Sequence, residues 1–450
     1  LAEPWATIGW TLGGEYPIRV LDHAWKLLLK NHPHDTICGA GIDQMEKDLV
    51  HRAEQSIIVS EGVMRRGMQE VQKRIGNSDV EARETVVTVF NPSPFPRSEV
   101  VSGYVDLPEV SGYDAFSLRD PQGNQAAKQE VVRFQQETLV RNLQDISLGL
   151  CSTRVKLHFC ANDIPALGYK TYHVRHEETE RPRVGSLVRG ENVIENEHLR
   201  VAIRPNGTLD ITDKASRHTF TGLHYLEDGG ENGHSWVHMT PEFDEVITSH
   251  GVPVHIVLEE SGPLLARYRI DYTMDLPLGL EETPQGKKRS ADRKPLTISS
   301  WMTLRAGSRL VEVTTRCDNQ HKFHRLRVCF PLRIAAQASC AEAAFDVIER
   351  PIVRQAGTVY YGRPNPQYPM QRFVDFSDGK VGLAFINDGM REYEAMEDED
   401  RTVALTLIRA YEFKQSPVID RWDVHPEMPL AQAPGPHEWR YAIYPHGGDW

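Results

Sequence analysis

Apolar residues recur at helical spacing over about the first 75 positions, and beyond them they alternate at strand spacing. Leu21, Ala24, Trp25, Leu28 and Leu29 mark one face of a helix running from about Ile18 to Lys30. Met45, Leu49, Ala53, Ile57, Met64, Met68, Val71 and Ile75 extend the same period along a second, longer helix. Asp43, with Glu46 three residues on, has the form of a capping box at its start, and Gly76-Asn77 supplies a stop. Gly62 and Gly67 are expected to bend or divide it.

The pattern then changes character. Thr85-Val86-Val87-Thr88-Val89-Phe90 is short and β-branched, and Asn91-Pro92-Ser93-Pro94-Phe95-Pro96 is turn chemistry. Arg154-Val155-Lys156-Leu157-His158-Phe159 and the run from Arg309 to Thr315 read as further strands. Leu199 to Ile203, Asn206-Gly207 and Leu209 to Ile211 read as a hairpin. Residues 281–294 are polar and without period, the signature of a surface loop, and the polar stretch from Glu177 to Arg183 suggests a boundary. No repeat of fixed period is present. Many short strands without intervening helices predict antiparallel sandwiches rather than a parallel α/β sheet. The fold class is therefore α+β and multidomain: a short helical bundle over residues 1–78, a small β-sandwich over 79–182 and a large one over 183–450.

Composition narrows the partners. A length of 450 residues exceeds what one core sustains, and 25% charged with 40% hydrophobic residues is ordinary for a soluble protein. A formal charge of -12 disfavours nucleic acid and anionic membrane, and no apolar run is long enough for a transmembrane helix. Six cysteines without a C-x-x-C pair fit neither a disulfide framework nor a zinc ribbon, which points to reduced, buried thiols in a cytoplasmic protein. Leu1 and Trp450 are odd ends, and the chain is expected to be a piece of a longer polypeptide.

The densest chemistry lies in Asn31-His32-Pro33-His34-Asp35-Thr36-Ile37-Cys38-Gly39, where proline forces a bend near His32. A neutral imidazole can ligate a transition metal, and a carboxylate can take a metal or sugar hydroxyls. Spacing alone favours a structural role, with His34 satisfying a buried helix end and Asp35 capping the next turn. His32 reads as structural. His321 and His324 read as surface residues on a β-turn, and Asn206-Gly207-Thr208 as a hairpin turn rather than a glycosylation sequon. Glu392, Glu394 and the run Glu397-Asp398-Glu399-Asp400 read as a solvated loop. Tyr360, Tyr361 and Trp236 could stack on sugars, although core packing is the default for such rings.

The run from Ala24 to Gly39 closely resembles the middle-domain signature of family 38 glycoside hydrolases, the retaining α-mannosidases. Val89-Phe90-Asn91-Pro92, Glu195-Asn196-Glu197-His198-Leu199, Asn206-Gly207-Thr208-Leu209-Asp210, Gly389-Met390-Arg391-Glu392-Tyr393-Glu394, Leu405-Thr406-Leu407-Ile408-Arg409 and Tyr444-Pro445-His446-Gly447 resemble its β domains in order. The resemblance implies a galactose-mutarotase-like large sandwich, incomplete at its end, and an α-mannoside or mannosylglycerate substrate. It implies that His34 is a zinc ligand and that Asp35 hydrogen-bonds mannose hydroxyls, zinc helping to distort the sugar toward an oxocarbenium-like state. In that family the nucleophile, the acid/base carboxylate and a His-x-Asp zinc pair sit on an N-terminal barrel. None of these is present here, so no catalytic residue is expected in this chain. The chain alone is expected to be inactive and to bind zinc weakly, since catalytic zinc takes at least three protein ligands. A bundle without the barrel should expose an apolar patch, which leaves a homo-oligomer open. The competing reading is a non-catalytic carbohydrate-binding or scaffold module.

Overall fold

The computed structural model describes residues 1–76, 80, 84–108, 115–140, 146–177, 185–353, 359–360, 363–364, 367–412 and 428–450. The chain opens with four helices: α1 (Ala2–Thr11), α2 (Ile18–Leu29), α3 (His34–Ile37) and α4 (Asp43–Gln72). α4 runs unbroken for 30 residues through both glycines. Gly67 does not divide the helix; it admits a neighbour. A Cβ there would stand 2.3 Å from the Trp5 carbonyl oxygen, so only a bare backbone lets α1 lie this close. Trp5 in turn meets Phe90 edge to face, with ring centroids 5.1 Å apart, which fixes the helices to the first strand.

Three details of the helical reading change. The capping position of α4 is Ile42, with no side-chain cap; Asp43 instead accepts the Leu430 amide at 3.3 Å, bridging to a distant turn. The helix ends at Gln72, before Gly76, and Asn77 lies outside the described residues. The face of α4 that is buried carries Ser56, Val63, Gly67 and Val71, while Met45 and Ile57 of the apolar stripe are exposed. Trp25 and Leu29 of α2 are exposed as well. Small residues are buried because the backbones approach closely; Trp25 and Ile57 line an open cleft with Leu21, Ala24, Leu28 and Met64.

Six strands follow: β1 (Thr85–Phe90), β2 (Arg97–Pro108), β3 (Ala115–Arg119), β4 (Lys128–Val140), β5 (Leu148–Ile164) and β6 (Tyr169–Glu177). They form two three-stranded antiparallel sheets, ordered β1-β6-β3 and β2-β5-β4. Their inner faces alternate as a half-buried strand requires, enclosing Leu107, Phe116, Leu118, Val155, Leu157 and Val174. Residues 178–184, where a boundary was expected, lie outside the described residues.

The remainder is dominated by sheets of five, six and nine strands around one large core. The expected hairpin is present, Leu199–Ile203 pairing with Leu209–Asp213, and Gly207 takes a φ of +83° in its turn. Asn206 is engaged there too, its Oδ1 accepting the Thr208 hydroxyl at 2.8 Å. Residues 281–294, expected as a loop, instead hold the hairpin Leu280–Thr283 with Gly286–Arg289 and the start of strand Arg293–Arg305. Opposite charges facing across it, Glu281 with Lys288 and Glu282 with Lys287, stabilise strands that lack apolar alternation.

Two further expectations fail for a common reason. His321 and His324 are buried, not surface residues. His324 Nδ1 lies 2.6 Å from Asp228, which also takes Arg289 at 2.5 Å. Burial alone would raise the Asp228 carboxyl, but His324 and Arg289 outweigh it and hold it below its ordinary value. Glu392 and Glu394 are likewise strand residues, not solvated loop: Arg325 lies 2.9 Å from Glu392, and Arg327 lies 2.7 Å from Glu394. Glu397, Asp398 and Glu399 are exposed outside any strand, as expected, whereas Glu392 and Glu394 find opposite charges on another strand of the same sheet. Of the six free cysteines only Cys317 and Cys329 are buried, while Cys38 and Cys151 are exposed.

Replacing Gly67 by alanine should force α1 off α4 and destabilise the chain by about 1–3 kcal/mol. Urea denaturation followed by Trp fluorescence checks it; an unchanged midpoint would show that α1 does not depend on this approach.

Candidate functional site

The bend expected near His32 is present. α2 ends at Leu29, Pro33 takes an extended ψ of 143°, and α3 begins at His34 as a single turn. His34 and Asp35 therefore project from a short turn whose backbone is set by proline. The His34 side chain is 94% exposed and that of Asp35 46%, with Nε2 and Oδ2 3.3 Å apart. His34 thus serves no buried helix end, and Asp35 makes no side-chain cap to the following turn. His32 is exposed. The pair presents one imidazole and one carboxylate to solvent.

The platform beneath the turn comes from the large β unit. Tyr411 Oη donates to the Gly39 carbonyl at 3.0 Å, just past α3. The Arg409 guanidinium lies over the Tyr411 ring at 5.0 Å, a cation–π contact. Burial pushes the Tyr411 phenol above its ordinary pKa, keeping it protonated and able to donate. Close by, the Asp43 amide sits 3.2 Å from Met428 Sδ, the second tie between α4 and the turn Pro429–Gln432.

Arg409 also organises a loop. Its Nε meets the Glu231 carboxylate at 3.0 Å, and its Nη2 donates to the carbonyls of His234 and Val237. The other contacts of Glu231 close the same loop: Oε2 takes His238 Nδ1 at 2.6 Å, and Oε1 takes the Gly233 amide at 2.6 Å and the Met239 amide at 3.2 Å. Burial would raise the Glu231 carboxyl; the His238 hydrogen bond and the charges of His238 and Arg409 outweigh it and lower it. At the tip stands Trp236, 40% exposed and edge-on to His234, so it does not pack in the core. Tyr360 has no described side chain, and Tyr361 lies outside the described residues.

Tyr411, Arg409, Glu231 and His238 carried no assigned role in the sequence. Arg409 lies in a quoted β motif, but its partner is 178 positions away, and no local pattern reports such a pairing.

The zinc fit is incomplete. Among the described residues no group of three or more His, Cys, Asp or Glu side chains is placed to hold a metal ion. His34 and Asp35 offer two donors at most, short of the three that catalytic zinc needs.

This architecture, a four-helix segment leading into antiparallel β-sandwiches, has known counterparts. Residues 194–416 match the model of the Glycosyl hydrolases family 38 C-terminal domain. The chain is 24% identical over 460 residues to a putative mannosylglycerate hydrolase of Halalkalibacterium halodurans, covering 95% of this chain and 50% of that protein. An α-mannosidase from Enterococcus faecalis V583 superposes on all of this chain with a TM-score of 0.89 at 26% identity, over 53% of its own length. A second Enterococcus faecalis structure, a protein of glycosyl hydrolase family 38, gives 0.87 at 26% identity over 55% of its length. Residues 194–416 carry a glycosyl hydrolase family 38 C-terminal domain, and the chain spans about half the length of the relatives it matches. Among the described residues no helix is long and apolar enough to cross a membrane.

Glu231 gives a pH prediction. Its folded pKa is depressed, so its stabilisation is full above the ordinary carboxylate value of 4.5 and is lost as pH falls through the folded value. Acid should loosen residues 232–239 below pH 4.5, and Glu231→Gln should abolish that step. Trp236 fluorescence, read against a Trp236→Phe control, checks this; an identical acid profile in the glutamine variant would refute it.

Proposed function

We propose that this chain is the helical and β-sandwich part of a retaining, zinc-dependent α-mannosidase that cleaves terminal α-mannosyl linkages. The proposed units are a helical bundle over residues 1–78, a small sandwich over 79–182 and a large one over 183–450. The observation that carries this reading is the His34-Asp35 pair, side by side on a turn anchored from below yet committed to no buried partner. Two exposed polar groups on a rigid support are poised to meet something outside themselves. Asp35 is read as the acceptor of mannose hydroxyls, and His34 as lending one imidazole to zinc, whose other ligands are not found beside it among the described residues. Trp236 is read as an aromatic wall for the sugar.

The relative named for mannosylglycerate supports substrates in which an α-mannosyl group is joined to a small acid, alongside ordinary α-mannosides. Six free cysteines support a reducing, cytoplasmic setting. The uncovered apolar cleft between α1, α2 and α4 supports self-association of the isolated chain.

By itself the chain should neither turn over an aryl α-mannoside nor copurify with stoichiometric zinc; either result would refute the incomplete-site reading. In the proposed complete enzyme, with a catalytic barrel joined to this chain, His34→Ala and Asp35→Ala should each lower kcat/KM at least about a hundredfold, or about 2.7 kcal/mol of transition-state stabilisation. Wild-type kinetics in both variants would leave only a scaffold role.

A further inference from the structure

The nine-stranded sheet turns one face to the core and the other outward. Val374, Phe376, Leu383, Phe385 and Ile443 point inward and are buried. The alternate residues share the outer face. Asp375 pairs with Ala384, which pairs with Tyr444; one row on, Gly382 pairs with His446; one row back, Phe373 pairs with Ile386.

An outward-facing carboxylate should be solvated, yet the Asp375 side chain is only 3% exposed and that of His446 10%. The two meet at 2.6 Å between Nε2 and Oδ2. Gly382 makes this possible: a Cβ there would stand 2.3 Å from His446 Cε1, so the imidazole lies flat across bare backbone to reach Asp375. Tyr444 stacks beside His446, with centroids 5.6 Å apart and rings within 22° of parallel. Phe373 and Trp450 face one another across the other side at 6.4 Å. Between these rings is a cavity of about 510 Å³ floored by Ala384.

We propose that this cavity is a saccharide-binding pocket for the mannosyl end of a glycoside. A pyranose has an apolar C–H face and a rim of hydroxyls. The three aromatic rings and Ile386 suit the face, and the Asp375 oxygen turned away from His446, which takes no hydrogen bond from the described residues, suits a hydroxyl. The volume falls within the range of about 300–1,000 Å³ typical of small-ligand sites. Glu342 and Asp449 outnumber the single guanidinium of Arg372 among the lining charges, which disfavours phosphate and other anions. The pocket lies on a different sheet from Arg409, so it is separate from the His34-Asp35 turn, while the choice of a mannosyl group rests on the substrate class proposed above.

Calorimetric titration of the whole 450-residue chain with methyl α-mannoside tests it. Saturable binding is expected, weakened at least tenfold by Ile386→Arg, which fills the pocket, and by Trp450→Ala, which removes one wall. Both positions are solvent-facing, at 39% and 63% exposure, so circular dichroism should show both variants folded; should one misfold, the other still decides. His34→Ala should bind as tightly as the unaltered chain. The proposal is overturned if the unaltered chain shows no saturable binding, or if a folded pocket variant binds normally. Loss of binding in His34→Ala instead would assign the sugar to the α3 turn, and tighter binding of tetramethylammonium than of the mannoside would assign the pocket to organic cations.

Discussion

The buried pairing of Glu231 with Arg409 organises the candidate site. A carboxylate removed from water is costly unless its oxygens are filled, and Glu231 fills them with Arg409, His238 and two backbone amides. Each contact closes residues 232–239 on themselves. The same guanidinium, oriented by that carboxylate, stacks on the ring whose hydroxyl holds Gly39. The Trp236 loop and the His34-Asp35 turn, about two hundred residues apart in sequence, therefore share one anchor. A neutral residue in place of Glu231 would lose more than an ion pair, because the position of Arg409 would no longer be specified.

The same logic recurs away from the site. Asp228 with Arg289 and His324, and Glu394 with Arg325 and Arg327, bind strands of one sheet to each other or to a neighbouring hairpin. Such networks add little net stability relative to apolar packing. Their value is geometric: a strand slipped by one residue would strand a charge in the core, so register is defended where apolar alternation alone is weak.

That geometry also marks how far the sequence could be read. Local periodicity was enough for α2, α4, β1 and the Asn206-Gly207 hairpin, since each depends on residues close in the chain. Proline chemistry was enough for the bend that presents His34 and Asp35. His324 and Glu394 were misread because their environment is made by partners about 70 to 100 positions away, which no window of local sequence contains. The hairpin within residues 280–289 was missed because charge pairing, not apolar alternation, holds it. Arg409 stood in view as part of a strand, and Tyr411 two residues beyond it, but neither could be given a role before Glu231 and Gly39 were placed beside them.

The helical segment shows why amphipathic pattern and packing are separate questions. In α4 the close contact with α1 is made by Gly67 and small or β-branched neighbours, not by the large apolar residues that announce the helix. Met45 and Ile57, with Trp25 and Leu29 of α2, are turned outward on the segment that carries His34 and Asp35. A large apolar face is unfavourable in water unless something covers it, and a polar pair on a rigid turn has little structural use unless something meets it. One polypeptide surface could satisfy both conditions at once: covering the cleft would bring its own side chains to the α3 turn. Docking and completion of the site would then be the same event, and the separately folded chain would retain the geometry of its half without the chemistry of the whole.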